Sequence, residues 1–239
     1  MFFEMPFFPI LAVYIAAAVI PAFVLLRYVY QHDTIEKEPP MLLLSLVFLG
    51  VVSALCATVL EGIAQTILDL LVAPENPFYT VLVAFLVVAV MEEGTKFYFL
   101  KRRTWYHPAF NYRFDGIVYA VFVSMGFAAY ENVLYVFQYG LSVALPRALL
   151  AIPGHVSFAV FMGVFYGRAK RCEGKGNDAA SRRYLCRAFL TTVFLHGFYD
   201  ACAMMGGGKA FLTFAVFIVL MYLSVYCTLR RESAADAPV

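Results

Sequence analysis

Charge is what this chain has least of. Only 14% of its 239 residues are Asp, Glu, Lys or Arg, 63% are hydrophobic, and the mean hydropathy is +0.78. Soluble domains carry about a quarter charged and about half apolar residues, so a water-soluble globular domain is excluded. Paired cysteines are missing too: Cys56, Cys172, Cys186, Cys202 and Cys227 are odd in number and show no CxxC spacing. That excludes a disulfide framework and a thiolate metal site, leaving five small apolar packers. The opening MFFEMPFFPI has no positively charged n-region, so no signal-peptide cleavage is expected. There is no internal repeat or low-complexity tract, and the basic residues keep to loops between apolar runs, so nucleic acid is not an expected partner.

Long apolar runs take the place of charge. A membrane-spanning helix needs ~20 mainly apolar residues, and seven runs qualify: 7–29, 41–71, 78–101, 115–138, 143–168, 184–205 and 209–229. The expected fold is all-α, a polytopic membrane helix bundle of about seven transmembrane helices. Residues 1–229 form one expected domain, and 230–239 a disordered cytoplasmic tail. The second run is overlong and holds Glu61, Gln65 and Asp69, which points to tilt or an interfacial turn. Of the loops, only RAKRCEGKGNDAASRR reads as flexible. Basic residues crowd alternate connections, with Lys101, Arg102, Arg103 and Arg113 in one and Arg168, Lys170, Arg171, Lys175, Arg182 and Arg183 in another. Positive charge stays cytoplasmic, which puts the N-terminus outside and the C-terminus inside.

Against that background, a few ionisable residues stand at membrane depth. The third run carries Glu92, Glu93 and Lys96; Glu131 follows in GFAAYENVLY, His155 in PGHVSFAVF, and His196 with Asp200 in FLHGFYDACA. Each costs at least ~2.5–3.5 kcal/mol on insertion scales and so faces a partner or a water-filled cavity. Glu92 and Lys96, four apart, share a helix face, with Glu93 about 100° away. Phe127 and Glu131 have the same spacing, with Asn132 beside the acid, and so do His196 and Asp200. His155 follows Pro153-Gly154, where a mid-span proline opens a kink. Taken singly, each has a structural explanation: a buried salt bridge, a polar bond between helices, a packed histidine.

Taken together, a carboxylate pair, a third acid and two histidines on successive spans fit activation of water. A buried Glu serves as general base, while histidines and Asp bind a metal or stabilise an oxyanion. No serine with a neighbouring base stands out, and there is no presenilin-type aspartyl pair in YD and GLGD motifs. At 1.5 Å rise per residue, Glu92 lies about 20 Å and Glu131 about 10 Å from the outer ends of their spans. They meet only if the helices tilt or start at different depths.

The residues EEGTK (Glu92, Glu93, Lys96), FAAYE (Phe127, Glu131) and HGFYD (His196, Asp200) resemble the EExxK, FxxxE and HxxxD motifs of the PrsW family of intramembrane proteases, within the CAAX-prenyl-protease-like superfamily. DGIVYA, GFAAYEN and PGH also look like the family, and the similarity covers roughly 90–200. The resemblance implies a bacterial plasma-membrane hydrolase making the first cut in a single-pass anti-sigma factor, in a stress response. It implies Glu92 as general base, Glu93 and Lys96 in support, and His196 with Asp200 stabilising the oxyanion or binding metal. Glu131 stands where CAAX-type relatives carry histidine, which leaves two mechanisms open: a metal-free glutamate one, or one in which Glu131, His155 and His196 hold zinc or another divalent ion.

Three other readings remain. A CAAX-type or bacteriocin-related membrane protease would share this chemistry, though EExxK rather than EExxxR speaks against it. A proton-coupled transporter would use the same acids as a relay, and a scaffold would use them as glue; no inverted repeat of broken spans supports transport.

Overall fold

The computed structural model describes residues 7–239. The expectation about signal cleavage bears partly on residues 1–6, which lie outside the described residues. The helices are α1 Phe7–His32, α2 Pro40–Leu71, α3 Tyr79–Leu82, α4 Val90–Thr104, α5 Asp115–Tyr139, α6 Ala144–Leu149, α7 Ala151–Gly174, α8 Asp178–Met205 and α9 Gly207–Ala234. A π-helical segment, Val83–Ala89, joins α3 to α4 into one continuous run, and a 3-10 turn, Leu141–Val143, precedes α6. Among the described residues there is no β-strand beyond a single bridge between Tyr112 and Pro238.

Six stretches are long and apolar enough to cross a membrane: Pro9–His32, Pro40–Leu71, Asp115–Tyr139, Leu141–Gly174, Asp178–Met205 and Gly207–Ala234. The remaining expected span, 78–101, is the run that carries Glu92, Glu93 and Lys96. Large apolar side chains such as Phe23, Leu44, Phe48, Leu190, Phe194 and Leu212 are exposed on the outside of the bundle. Such a surface is out of place in water and suits lipid. The chain is a polytopic membrane helix bundle.

The centre of the bundle is α5, whose residues 115–128 are all buried. A helix apolar all round belongs in the middle. It can sit there because neighbouring backbones come very close. A Cβ at Gly126 would lie 2.1 Å from the Val47 carbonyl oxygen, and one at Gly50 the same distance from that of Val123, so α2 and α5 cross at two glycines.

Three expectations give way. The run 143–168 is not one kinked helix: it breaks at Leu150, and Pro153 lies in the first turn of α7, where its missing N–H has no partner to lose. The stretch expected to be a flexible loop, from Arg168 on, is almost wholly helical. Helix α7 runs to Gly174, and α8 starts at Asp178 with the Asn177 side chain accepting from the Ala180 N–H at 3.0 Å. The last residues do not hang free either. Helix α9 extends to Ala234; Asp236 then accepts from the Phe114 N–H, Ala237 O from the Arg113 N–H, and Val239 N–H donates to Asn111 O. Glu232 pairs with Arg113 and with Arg168, and Ser233 donates to His32 O. The basic connections and the chain terminus thus share one end of the bundle.

Candidate active site

Helix α4 supplies the charged centre. The side chains of Glu92, Glu93 and Lys96 are almost wholly inaccessible. The Lys96 ammonium donates to Glu92 Oε2 at 3.0 Å, to Glu93 Oε1 at 2.8 Å and to His155 Nδ1 at 3.2 Å, and stands 3.9 Å above the Phe127 ring. One cation therefore ties both acids of the pair, although they point about 100° apart around the helix. Phe127, expected as a supporting residue, closes the remaining side of the ammonium.

Helix α8 brings His196 against this centre. Its Nδ1 lies 2.9 Å from Glu93 Oε1, and its Nε2 lies 3.2 Å from Asp200 Oδ2 and 4.0 Å from Glu92 Oε2. A carboxylate only accepts, so Nδ1 donates to Glu93, while Nε2 faces Asp200 and Glu92 as an ion pair. The ring stacks on Phe158, centroids 4.7 Å apart at 19°. The next residue, Gly197, allows the close approach: a Cβ there would sit 2.5 Å from the Phe85 ring of the π-helical segment.

His155, one turn into α7, links the centre to α5. Its Nδ1 accepts from Lys96, which fixes the proton on Nε2, and that nitrogen donates to Glu131 Oε2 at 3.0 Å. The same Glu131 oxygen is 3.0 Å from Arg147 Nη2, while Arg147 Nε donates to Asn132 Oδ1 at 2.7 Å. Glu131 thus joins the centre through a histidine. Asn132 serves the scaffold: its amide donates to Ala18 O of α1 at 2.7 Å.

A cavity of about 610 Å³ opens onto these groups. Glu92, Glu131, His155, His196 and Asp200 line it, whereas Glu93 and Lys96 lie behind Glu92 and off its surface. Pro146, Arg147 and Leu150 border it at the end of the bundle opposite the basic connections. Two lining residues carry no weight in the sequence reading: Arg147, which lies near the edge of a short connection, and Glu61, noted only within an overlong run. For Glu61 the signal was present. Ala54, Thr58 and Glu61 fall on one helix face, and all three line the cavity.

Among the described residues one group could hold a metal: Glu92, Glu93 and His155, each offering a ligand atom within 4.8 Å of the others. The trio expected from the sequence, Glu131, His155 and His196, does not come together as such a group, because His196 turns its nitrogens to Glu93 and Asp200. By donor type, two carboxylates and an imidazole suit zinc. Their centre, however, is taken. The Lys96 ammonium is within hydrogen-bond distance of one atom of each of the three residues, so as arranged the set does not fit an ion.

A helical bundle with a membrane exterior and an acid–base centre facing an internal cavity has the makings of a membrane-embedded hydrolase. Comparison with protein families narrows this. The model of the PrsW family intramembrane metalloprotease matches residues 38–226. The chain is 36% identical over 186 residues to Protease PrsW of Geobacillus kaustophilus, covering 78% of this chain and 77% of that one. It is 30% identical over 220 residues to Protease PrsW of Shouchella clausii, covering 92% and 96%. With Protease PrsW of Bacillus subtilis it shares 33% over 186 residues, covering 78% and 80%. No solved structure matches. The chain belongs to the PrsW family and is a multi-pass intramembrane protease.

Proposed function

We propose that this protease cuts a single-pass anti-sigma factor at its first cleavage site, with a water activated by Glu92 and without a metal. One observation carries the mechanism: Glu92 and His196 both line the cavity, with Glu92 Oε2 and His196 Nε2 4.0 Å apart, wide enough for a water that bonds to both. Glu92 takes a proton from that water, and the hydroxide adds to the scissile carbonyl. The oxyanion accepts from His196 Nε2–H, which Asp200 and Glu93 hold in place. Glu92 then hands its proton to the departing amine as the C–N bond breaks. Lys96 keeps Glu92 and Glu93 side by side, and Glu131 and Arg147 fix His155 against Lys96.

The substrate class rests on the resemblance of the three motifs to their family, and so does the bacterial plasma membrane as location. The basic end of the bundle supports a cytoplasmic C-terminus, so the cavity opens toward the outer leaflet, where a juxtamembrane cut would fall.

The test is cleavage of single-pass substrates by purified protein in liposomes, wild type against Glu92→Gln and His196→Ala, each with and without a strong chelator. Both variants are expected to stay folded and lose at least about 100-fold in rate. Wild-type cleavage should survive chelation. Undiminished cutting by Glu92→Gln ends the general-base assignment, and loss of wild-type cutting with chelator ends the metal-free mechanism.

A further inference from the structure

The cavity holds one carboxylate that no described residue binds. Glu61 reaches it from α2, and among the described residues it has neither a hydrogen bond nor an ion pair; Glu131, Lys96, His196 and Asp200 act on it only through space. Every other charged lining group is engaged: Glu92 with Lys96, Glu131 with His155 and Arg147, Asp200 with His196. Gln65 and Asp69 extend the Glu61 face by steps of four toward the loop, with Gln65 donating to Asp69 at 2.7 Å. A polar track thus leads along α2 and ends at an acid without a partner among the described residues.

An ionisable group kept at membrane depth is expensive unless something meets it. Among the described residues nothing meets it, so a fixed partner is left to what enters the cavity. Four lining carboxylates, Glu61, Glu92, Glu131 and Asp200, stand against Arg147, which is spent on Glu131 and Asn132, and His196, which is spent on Glu93 and Asp200. A substrate acid is repelled by such a lining, and a neutral residue leaves Glu61 unpaired. A lysine or arginine pairs with it.

We infer that Glu61 is a specificity-determining residue that pairs with a basic side chain of the substrate beside the scissile bond. This rests on the reading of the cavity as the cleavage site. The preference it produces is at least about tenfold, the low end for a hydrogen bond to a charged group.

The experiment uses the full chain in liposomes and a panel of synthetic single-pass peptides that differ at one juxtamembrane position, scanned as Lys, Gln or Glu. At one or more positions the wild type should cut the Lys peptide with a kcat/KM at least about tenfold above the Gln peptide. Glu61→Gln should lose that ratio while its rate on the Gln peptide stays within about threefold of wild type. Glu61→Lys should turn the preference toward the Glu peptide. The inference is overturned if wild type shows no preference, if Glu61→Gln retains it, or if Glu61→Gln slows all peptides equally, which would put Glu61 in the chemistry. If wild type cuts none of the peptides, the cleavage-site reading fails first and takes the inference with it.

Discussion

Replacing Lys96 by Met is the sharpest probe of how the site is held together. The substitution keeps an unbranched side chain of four heavy atoms and removes the ammonium that stands over the Phe127 ring, and with it one positive charge. That charge donates to Glu92, Glu93 and His155 at 3.0, 2.8 and 3.2 Å. Without it, two neighbouring acids that are 6% and 1% exposed lose the lysine that pairs with both of them. Removing one partner of a buried ion pair costs ~3–5 kcal/mol, out of a total stability of order 5–15 kcal/mol. At ~2–4 °C per kcal/mol for a chain of this size, the melting midpoint should drop by roughly 6–20 °C.

Thermal unfolding in detergent, followed by the fluorescence of the single tryptophan, reads this directly. The double variant Lys96→Met/Glu93→Gln removes one of the stranded acids and should recover most of the loss without recovering cleavage. A midpoint for Lys96→Met within about 3 °C of wild type would refute the argument. So would a wild-type midpoint that rises with added zinc, since an ion would then be displacing the ammonium from the Glu92–Glu93–His155 group.

Glu131→Ala should lower kcat by about 10–100-fold in a folded protein, the usual effect of removing a group that orients a functional histidine; normal cleavage would demote Glu131 to packing. Gly197→Ala places a methyl 2.5 Å from the Phe85 ring and should cost about 1–3 kcal/mol together with most of the activity. Adding Phe85→Val should restore both, and a double variant no better than the single one would show that this contact is not the constraint. In the connection between α1 and α2, burial pushes Asp33 up to about 6 and also pushes Glu38 up, from ordinary carboxylate values near 4. The fold therefore favours their neutral forms, and this stabilisation is complete below about pH 4 and fades as pH rises through 6 and above. The melting midpoint should fall between about pH 5 and 8, and Asp33→Asn/Glu38→Gln should flatten that slope; a flat wild-type profile would contradict it.

Much of this was legible beforehand because lipid imposes a simple rule: helices must be long and apolar, and every exception must have a reason. Seven runs and the residues Glu92, Glu93, Lys96, His155, His196 and Asp200 follow from that rule alone. Three features did not. Leu150 lies between two helices inside a run that average hydropathy reads as one span. Asn177 caps α8 inside a stretch whose Gly, Ser and Asn content reads as loop. The terminal residues are held by backbone bonds to 111–114, and such pairing leaves no mark on local composition.

The depth conflict between Glu92 and Glu131 shows what places the site. The two acids never meet; Lys96 and His155 span the distance between them. That bridge exists because α7 starts only four residues before His155, which brings its ring level with Lys96, and a continuous span from 143 would have started that helix elsewhere. On the other side, the π-helical segment ends just before Glu92. Each residue that such a segment inserts turns the rest of the helix by about 100° around the axis, so it sets which way the acids face. Its Phe85 packs where Gly197 leaves room, and that contact settles the distance from α4 to His196. The motif residues supply the chemistry, but a helix break and a π turn give them their geometry. A sequence that kept all three motifs and filled the position of Gly197 would keep every reacting group and lose the 2.9 Å contact between His196 and Glu93.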